Sequence, residues 1–248
     1  MNDLIAHDMQ FKYAGIDIYT NIDDIPWVSS PNAECDLPFA VTRDVLLDVE
    51  VYKSFLTNSI SRFRQSKYYK AYKSYLMGLG LDKCAIMGNV DENMATIEMH
   101  HNFLTIHDIA LMITEHVINT IGSITTFDLI QLLINEHWNN RIPIVMLSET
   151  LHEMYHADNG NFIPPNATFG KWWELIYEYR FGITIDIAKK IVRYIDAYQN
   201  TPVGNMFVSV RSDILGFAHY NEYGYPANRC VVLNNIGNNH IELFGGAA

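Results

Sequence analysis

Seven of the ten histidines in this 248-residue chain lie between positions 100 and 156, and their placement limits what the chain can fold into. His100 and His101 close the segment 95–101 (ATIEMHH), where Ile97 and Met99 alternate with polar neighbours as in a short β-strand. Adjacent strand residues point to opposite faces. Both histidines can serve one site only if the strand ends there and the chain turns, which Asn102-Phe103 permits. His152 and His156 stand at i and i+4 of a helical segment opened by Ser148, a spacing that lets two imidazoles share one cation.

The segments between and around these pairs have readable periods. Thr105–Asp108 and Thr125–Asp128 resemble capping boxes with Asp in place of Glu. The first opens a helix with Ile106, Ile109, Ala110, Ile113 and Val117 on one face, the second a helix with Leu129, Leu132 and Leu133. IPIVML (142–147) reads as a buried strand, with Pro143 at its start or at a sheet edge. Positions 41–79 read as helical, carrying Phe55, Ile60, Phe63, Tyr68, Tyr72 and Leu76, with Gly78 and Gly80 as the stop. Helices are expected over 171–180 and 184–198, where Trp172, Trp173, Tyr177 and Tyr179 suit packing better than base stacking. The tail from Pro202 shows β-like pieces at 206–210 and 229–233. The divisions expected are a loop-rich 1–40, a basic helical 41–83, a histidine-rich 84–160 and a helical then mixed 161–248.

Charge matters through its distribution. Against 28 Asp+Glu there are 17 Lys+Arg, a net −11, which argues against a nucleic-acid partner because phosphates need cations. Yet residues 53–83 carry seven lysines and arginines against Asp82 alone, a local +6 that leaves −17 for the rest. In this stretch lysines alternate with tyrosines (Lys67, Tyr68, Tyr69, Lys70, Tyr72, Lys73, Tyr75). The alternation by itself favours a solvated face over a tyrosine core stripe, with a phosphate-contacting helix with aromatic support as the alternative. Lys189, Lys190 and Arg193 form a smaller basic face. The chain start lacks the pattern of a secretory signal, and no apolar run reaches the ~18 residues of a membrane span. Cys35, Cys84 and Cys230 are odd in number and far apart, so no disulfide framework is implied and a soluble, cytoplasmic protein is expected.

The order of strand with His-His, Asn139-Asn140, strand, and helix with H-x-x-x-H resembles the HNH nucleases, most closely the variant with a His-His pair found in colicin DNases. IEMHH (97–101), NNRIPIVML (139–147) and SETLHEMYH (148–156) carry the match, within a segment, 84–156, that is under a third of the chain. The resemblance implies an α+β fold built on a ββα-metal core, here with inserted helices and helical flanks. It implies one divalent ion (Mg, Mn, Ni or Zn) on His100, His152 and His156, His101 as general base, and Asn140 orienting that base. The implied reaction is hydrolysis of DNA phosphodiesters, with Arg62, Arg64, Lys67, Lys70 and Lys73 contacting the backbone in a weak, salt-sensitive complex. Such nucleases serve phages, mobile elements or defence systems. Two departures stand out. The family's zinc knuckle is reduced to Cys84-Ala-Ile-Met87-Gly88, so one metal is expected rather than two. Between His101 and Asn140 lie 38 residues with two helical patterns, where many members use a shorter loop.

His152-Glu153-Met154-Tyr155-His156 is also a literal H-E-x-x-H, the zinc-peptidase signature, with Glu174 or Glu178 available as third ligand. That alternative leaves His100, His101, Asn140 and the basic helix without a role. Of the other histidines, His107 and His116 suit the ends of the inserted helix, His116 as a cation at its last turn. His137, close to the Asn pair, is a candidate to support the site from behind.

Overall fold

The computed structural model describes residues 12–13, 16–17, 40–43, 48–157, 163–201 and 207–223. Among the described residues, three antiparallel strand pairs and eight helices make up a mixed α/β architecture: β1 (Lys12–Tyr13) with β2 (Ile16–Asp17), β3 (Ala40–Thr42) with β5 (Ser123–Thr125), and β4 (Ile97–His101) with β6 (Ile144–Ser148). The helices are α1 (Val49–Gln65), α2 (Lys67–Gly78), α3 (Ile106–Thr120), α4 (Thr126–Trp138), α5 (Glu149–Ala157), α6 (Trp172–Glu178), α7 (Ile185–Tyr198) and α8 (Val208–Tyr223). None of them is long and apolar enough to cross a membrane.

The local signals explain most element ends. Thr105 and Thr125 each accept the amide of the Asp three residues on, and each Asp carboxylate takes the threonine's own amide, so both capping boxes form. The helical stretch of 41–79 is divided: β3 occupies its start, and Ser66, in extended conformation, ends α1 and caps α2 by accepting Tyr69 N. The tail differs more. The Val-rich 206–210 suggested a strand, but Val208–Tyr223 is a helix. Phe207, Val210, Ile214, Phe217 and Ala218 are buried at helical spacing, and packing on α7 selects that period over β propensity. The expected strand at 229–233, most of the loop-rich 1–40, Cys35 and Cys230 lie outside the described residues.

Helix α4 is the most deeply buried of the described helices. Every residue from Leu129 to Trp138 is buried, including Gln131, Asn135, Glu136 and His137. Most of their polar atoms are paired: Gln131 donates to Asn135 at 2.9 Å although its own Oε1 has no partner, and Glu136 takes the Tyr179 hydroxyl at 2.9 Å and Arg141 at 3.4 Å. One continuous core runs from Val41 to Ala218, so the basic helices, the histidine-rich segment and the later helices share packing. Trp172 and Tyr179 are buried in it, as packing residues.

The turn over 180–182 lies against α3 so closely that a Cβ on Gly182 would fall 1.7 Å from the Met112 carbonyl oxygen and 2.7 Å from the His116 amide. Backbone atoms cannot yield as a side-chain tip would. Gly182→Ala should therefore destabilise the fold by about 3 kcal/mol or more, read as a lowered urea midpoint. An unchanged midpoint would show that the two backbones can separate at little cost.

Candidate metal centre

Strand β4 runs antiparallel to β6, with Ile97 opposite Ser148 and His101 opposite Ile144, and β6 passes directly into α5. The strand alternates: Ile97 and Met99 are buried, whereas Glu98 and His100 turn their partly exposed side chains toward α5. His152 and His156 meet them from α5, one helical turn apart. Ring nitrogens of His100, His152 and His156 all lie within 4.8 Å of one another, and His152 Nε2 and His156 Nε2 are 3.0 Å apart. Imidazole nitrogens bound to one ion at 2.0–2.1 Å would stand about 3.0–3.4 Å apart, so small side-chain adjustments suffice to share one. Among the described residues no other group of histidine, cysteine and carboxylate side chains is so disposed.

The protonation states suit a metal. The Glu98 carboxylate accepts the hydrogen of His152 Nδ1 in a short contact, which leaves Nε2 with its lone pair facing His156 and His100. Carboxylates behind metal-binding histidines commonly fix tautomer and ring angle in this way. Burial, then the neighbouring His152 and His156, lowers the His100 pKa to about 4, and burial also lowers that of His156. Neutral imidazoles are the form that binds cations.

The chain turns immediately after the strand, as a shared site requires. Asn102 is pinned by its own amide to Pro143 O at 2.9 Å and by its side chain to Ile163 O and Thr168 Oγ1. Phe103 adopts a left-handed φ of 37° and stacks on Tyr194 at 4.0 Å. As a result His101 opens onto the same cavity of about 620 Å³ as His100, His152 and His156, which is also lined by Arg64, Tyr69, Tyr155, Lys190 and Arg193. Burial, then His137 and Arg64, holds the His101 pKa well below the usual histidine range, so this imidazole is neutral at pH 7.

The partner expected for His101 is not the one it has. Asn140 takes the left-handed φ of 55° that ends α4, with Arg141 N bonded back to Glu136 O at 3.0 Å. Its side chain accepts from the Tyr72 hydroxyl at 3.2 Å and donates to Tyr75 Oη at 3.1 Å, so Asn140 ties α4 to α2 and does not orient His101. His101 Nε2 instead meets His137 Nε2 at 3.2 Å. His116 also departs from expectation: half-buried between Tyr179 and Phe181, it has its pKa lowered to about 4 by burial and is no helix-end cation.

Of the five cations assigned to DNA, Arg64 lines the cavity. Arg62, Lys67 and Lys70 are exposed elsewhere on α1 and α2, and Lys73 is half-buried. The tyrosines of that stretch pack inward at Tyr68 and Tyr72. The opposite rim comes from α7, where Lys190 is clamped to Asp108 at 2.7 and 2.8 Å and Arg193 lies one turn on. Glu98 went unread in the sequence although its position two residues before His100 puts both on one strand face. The peptidase constellation does not assemble in the same way: Glu174 pairs with Arg141 and Lys171, Glu178 is exposed, and the ring completing the trio is His100. In the reduced knuckle, Cys84 is buried while Met87 is exposed.

Neither a curated protein nor a solved structure matches the chain. A family match does exist, to bacteriophage G278-like virion proteins, over residues 22–221. That span is most of the 248 residues and takes in every element of the histidine site, so the chain belongs to the bacteriophage G278-like virion protein family.

Proposed function

We propose that this phage protein is a single-metal endonuclease of the HNH type acting on DNA. The observation that carries the proposal is the convergence of His100, His152 and His156 on one point, with His101 opening onto the same cavity. The arrangement of β4, β6 and α5 supports assigning them as a ββα-metal core. His100, His152 and His156 would hold a divalent ion, whose chemistry there is Lewis-acid neutralisation of the scissile phosphate and the departing 3′-oxygen.

The chain's own groups do the rest. His101, neutral at physiological pH, takes a proton from water as the water oxygen bonds to phosphorus. The P–O3′ bond breaks with its electron pair on the 3′-oxygen, which takes a proton from solvent. Arg64 on one rim and Arg193 on the other flank the cavity with positive charge and attract phosphates on either side of the cleaved bond, while Lys190 beside Arg193 is held by Asp108. The virion-protein family supports placing the chain in the phage particle instead of the cytoplasm expected from sequence.

Plasmid cleavage tests the proposal. The full chain should nick or linearise supercoiled DNA with Mg²⁺, Mn²⁺, Ni²⁺ or Zn²⁺ and lose that activity in EDTA. Intact plasmid in all four metals would refute it.

A further inference from the structure

We propose that His137 is a positioning residue that sets the tautomer of His101, leaving His101 Nδ1 as the nitrogen that accepts the proton. The proposal deepens the nuclease reading and rests on it for the role of His101, although the proton placement can be measured without any activity.

The argument runs outward from α4. His137 Nδ1 lies 2.7 Å from Leu133 O, one turn back on the same helix. A carbonyl oxygen only accepts, so His137 carries its hydrogen on Nδ1. Burial lowers the His137 pKa to about 4, despite the support of that carbonyl. The ring is therefore neutral and its Nε2 is a bare acceptor. That atom faces His101 Nε2 at 3.2 Å. Two lone pairs opposed at that distance would repel and leave both nitrogens, His137's fully buried, without a hydrogen bond. The contact is a hydrogen bond only if His101 carries its hydrogen on Nε2 and donates it. The sole remaining acceptor on the ring is Nδ1.

Packing keeps the pair in register. His137 is 1% exposed and sits among Phe63, Tyr72 and Tyr69, at ring-centre distances of 4.8, 5.3 and 5.8 Å. Tyr69 lies parallel to His101, 3° between planes. The Leu133 carbonyl, His137 and His101 thus form a relay of fixed proton positions, and α4 supplies the orientation that the sequence had assigned to Asn140.

The test is ¹⁵N imidazole NMR on the metal-free full-length protein, combined with steady-state cleavage by two variants. Wild-type His101 should show a protonated Nε2 and a bare Nδ1. His137→Phe keeps a ring but removes the acceptor. It should abolish that single-tautomer signature and lower kcat by about 10–100-fold, with KM and metal affinity held. His137→Gln, whose Oε1 can accept the same hydrogen bond, should recover most of the lost kcat. A His101 protonated on Nδ1 in the wild type overturns the proposal, as does a His137→Phe variant whose His101 tautomer is unchanged. Should His137→Phe fail to fold, the wild-type spectrum and the glutamine variant still decide. A wild type without nuclease activity would sink the nuclease reading, and the spectrum would then decide the tautomer on its own.

Discussion

Replacing His101 with alanine is expected to lower plasmid cleavage by about 10²–10⁴-fold, the usual contribution of a positioned general base, whereas Glu153→Gln should leave it unchanged. The two residues separate two chemistries that share HEMYH. In the nuclease, His152 and His156 turn one face of α5 toward His100, and Glu153, exposed on that helix, takes no part. In a zinc peptidase, Glu153 would activate water and His101 would be a bystander, so the pattern on a casein substrate would be the reverse. Removing the His101 ring also leaves His137 Nε2 without its partner, a loss of about 1–3 kcal/mol. Cleavage should therefore be measured well below the variant's melting temperature, with circular dichroism as a check on folding. A His101→Ala protein that is folded and cuts at the wild-type rate would end the nuclease reading.

How much of this was legible in the sequence depends on the range of the interaction. The strand end at His101, the i,i+4 pair on α5 and both capping boxes are set within five residues, and the structure has them where the spacing implied. Glu98 was legible in the same way, by strand alternation. The particular contact of His137 was not: the sequence offered it as a candidate to support the site from behind, but it meets His101 across 36 residues, once α1, α2 and α3 pack around α4. The extra length between His101 and Asn140, which looked like a departure from a shorter loop, is what supplies that buried helix. Asn140 misled because one residue type serves two purposes: Asn tolerates the left-handed φ that ends α4 and also suits an orienting hydrogen bond. The basic track shifted for a related reason. Clustering along the chain put it mainly in 53–83, with 189–193 as a lesser face, but folding leaves Arg64 at the cavity and brings Lys190 and Arg193 from α7 to the other side.

Metal affinity should follow the contacts residue by residue. His152→Ala is expected to weaken Zn²⁺ or Ni²⁺ binding by about 10²-fold or more, since it removes one of the three proposed ligands, and structural zinc sites bind with of order 10 kcal/mol in all. Glu98→Ala touches no ion, yet it frees His152 to rotate and to move its hydrogen to Nε2, so a loss of about 10–100-fold is expected. Glu98→Gln, which keeps an acceptor for Nδ1–H but drops the charge, should fall between Glu98→Ala and the wild type. Glu174→Gln serves as the contrast. Its carboxylate is held by Arg141 and Lys171, and titration calorimetry should find its affinity equal to wild type. If affinity instead falls with Glu174→Gln and survives His100→Ala, the third ligand is the peptidase one, and the ion sits between α5 and α6 rather than between β4 and α5. The outcome turns on His100 because His152 and His156 belong to both constellations.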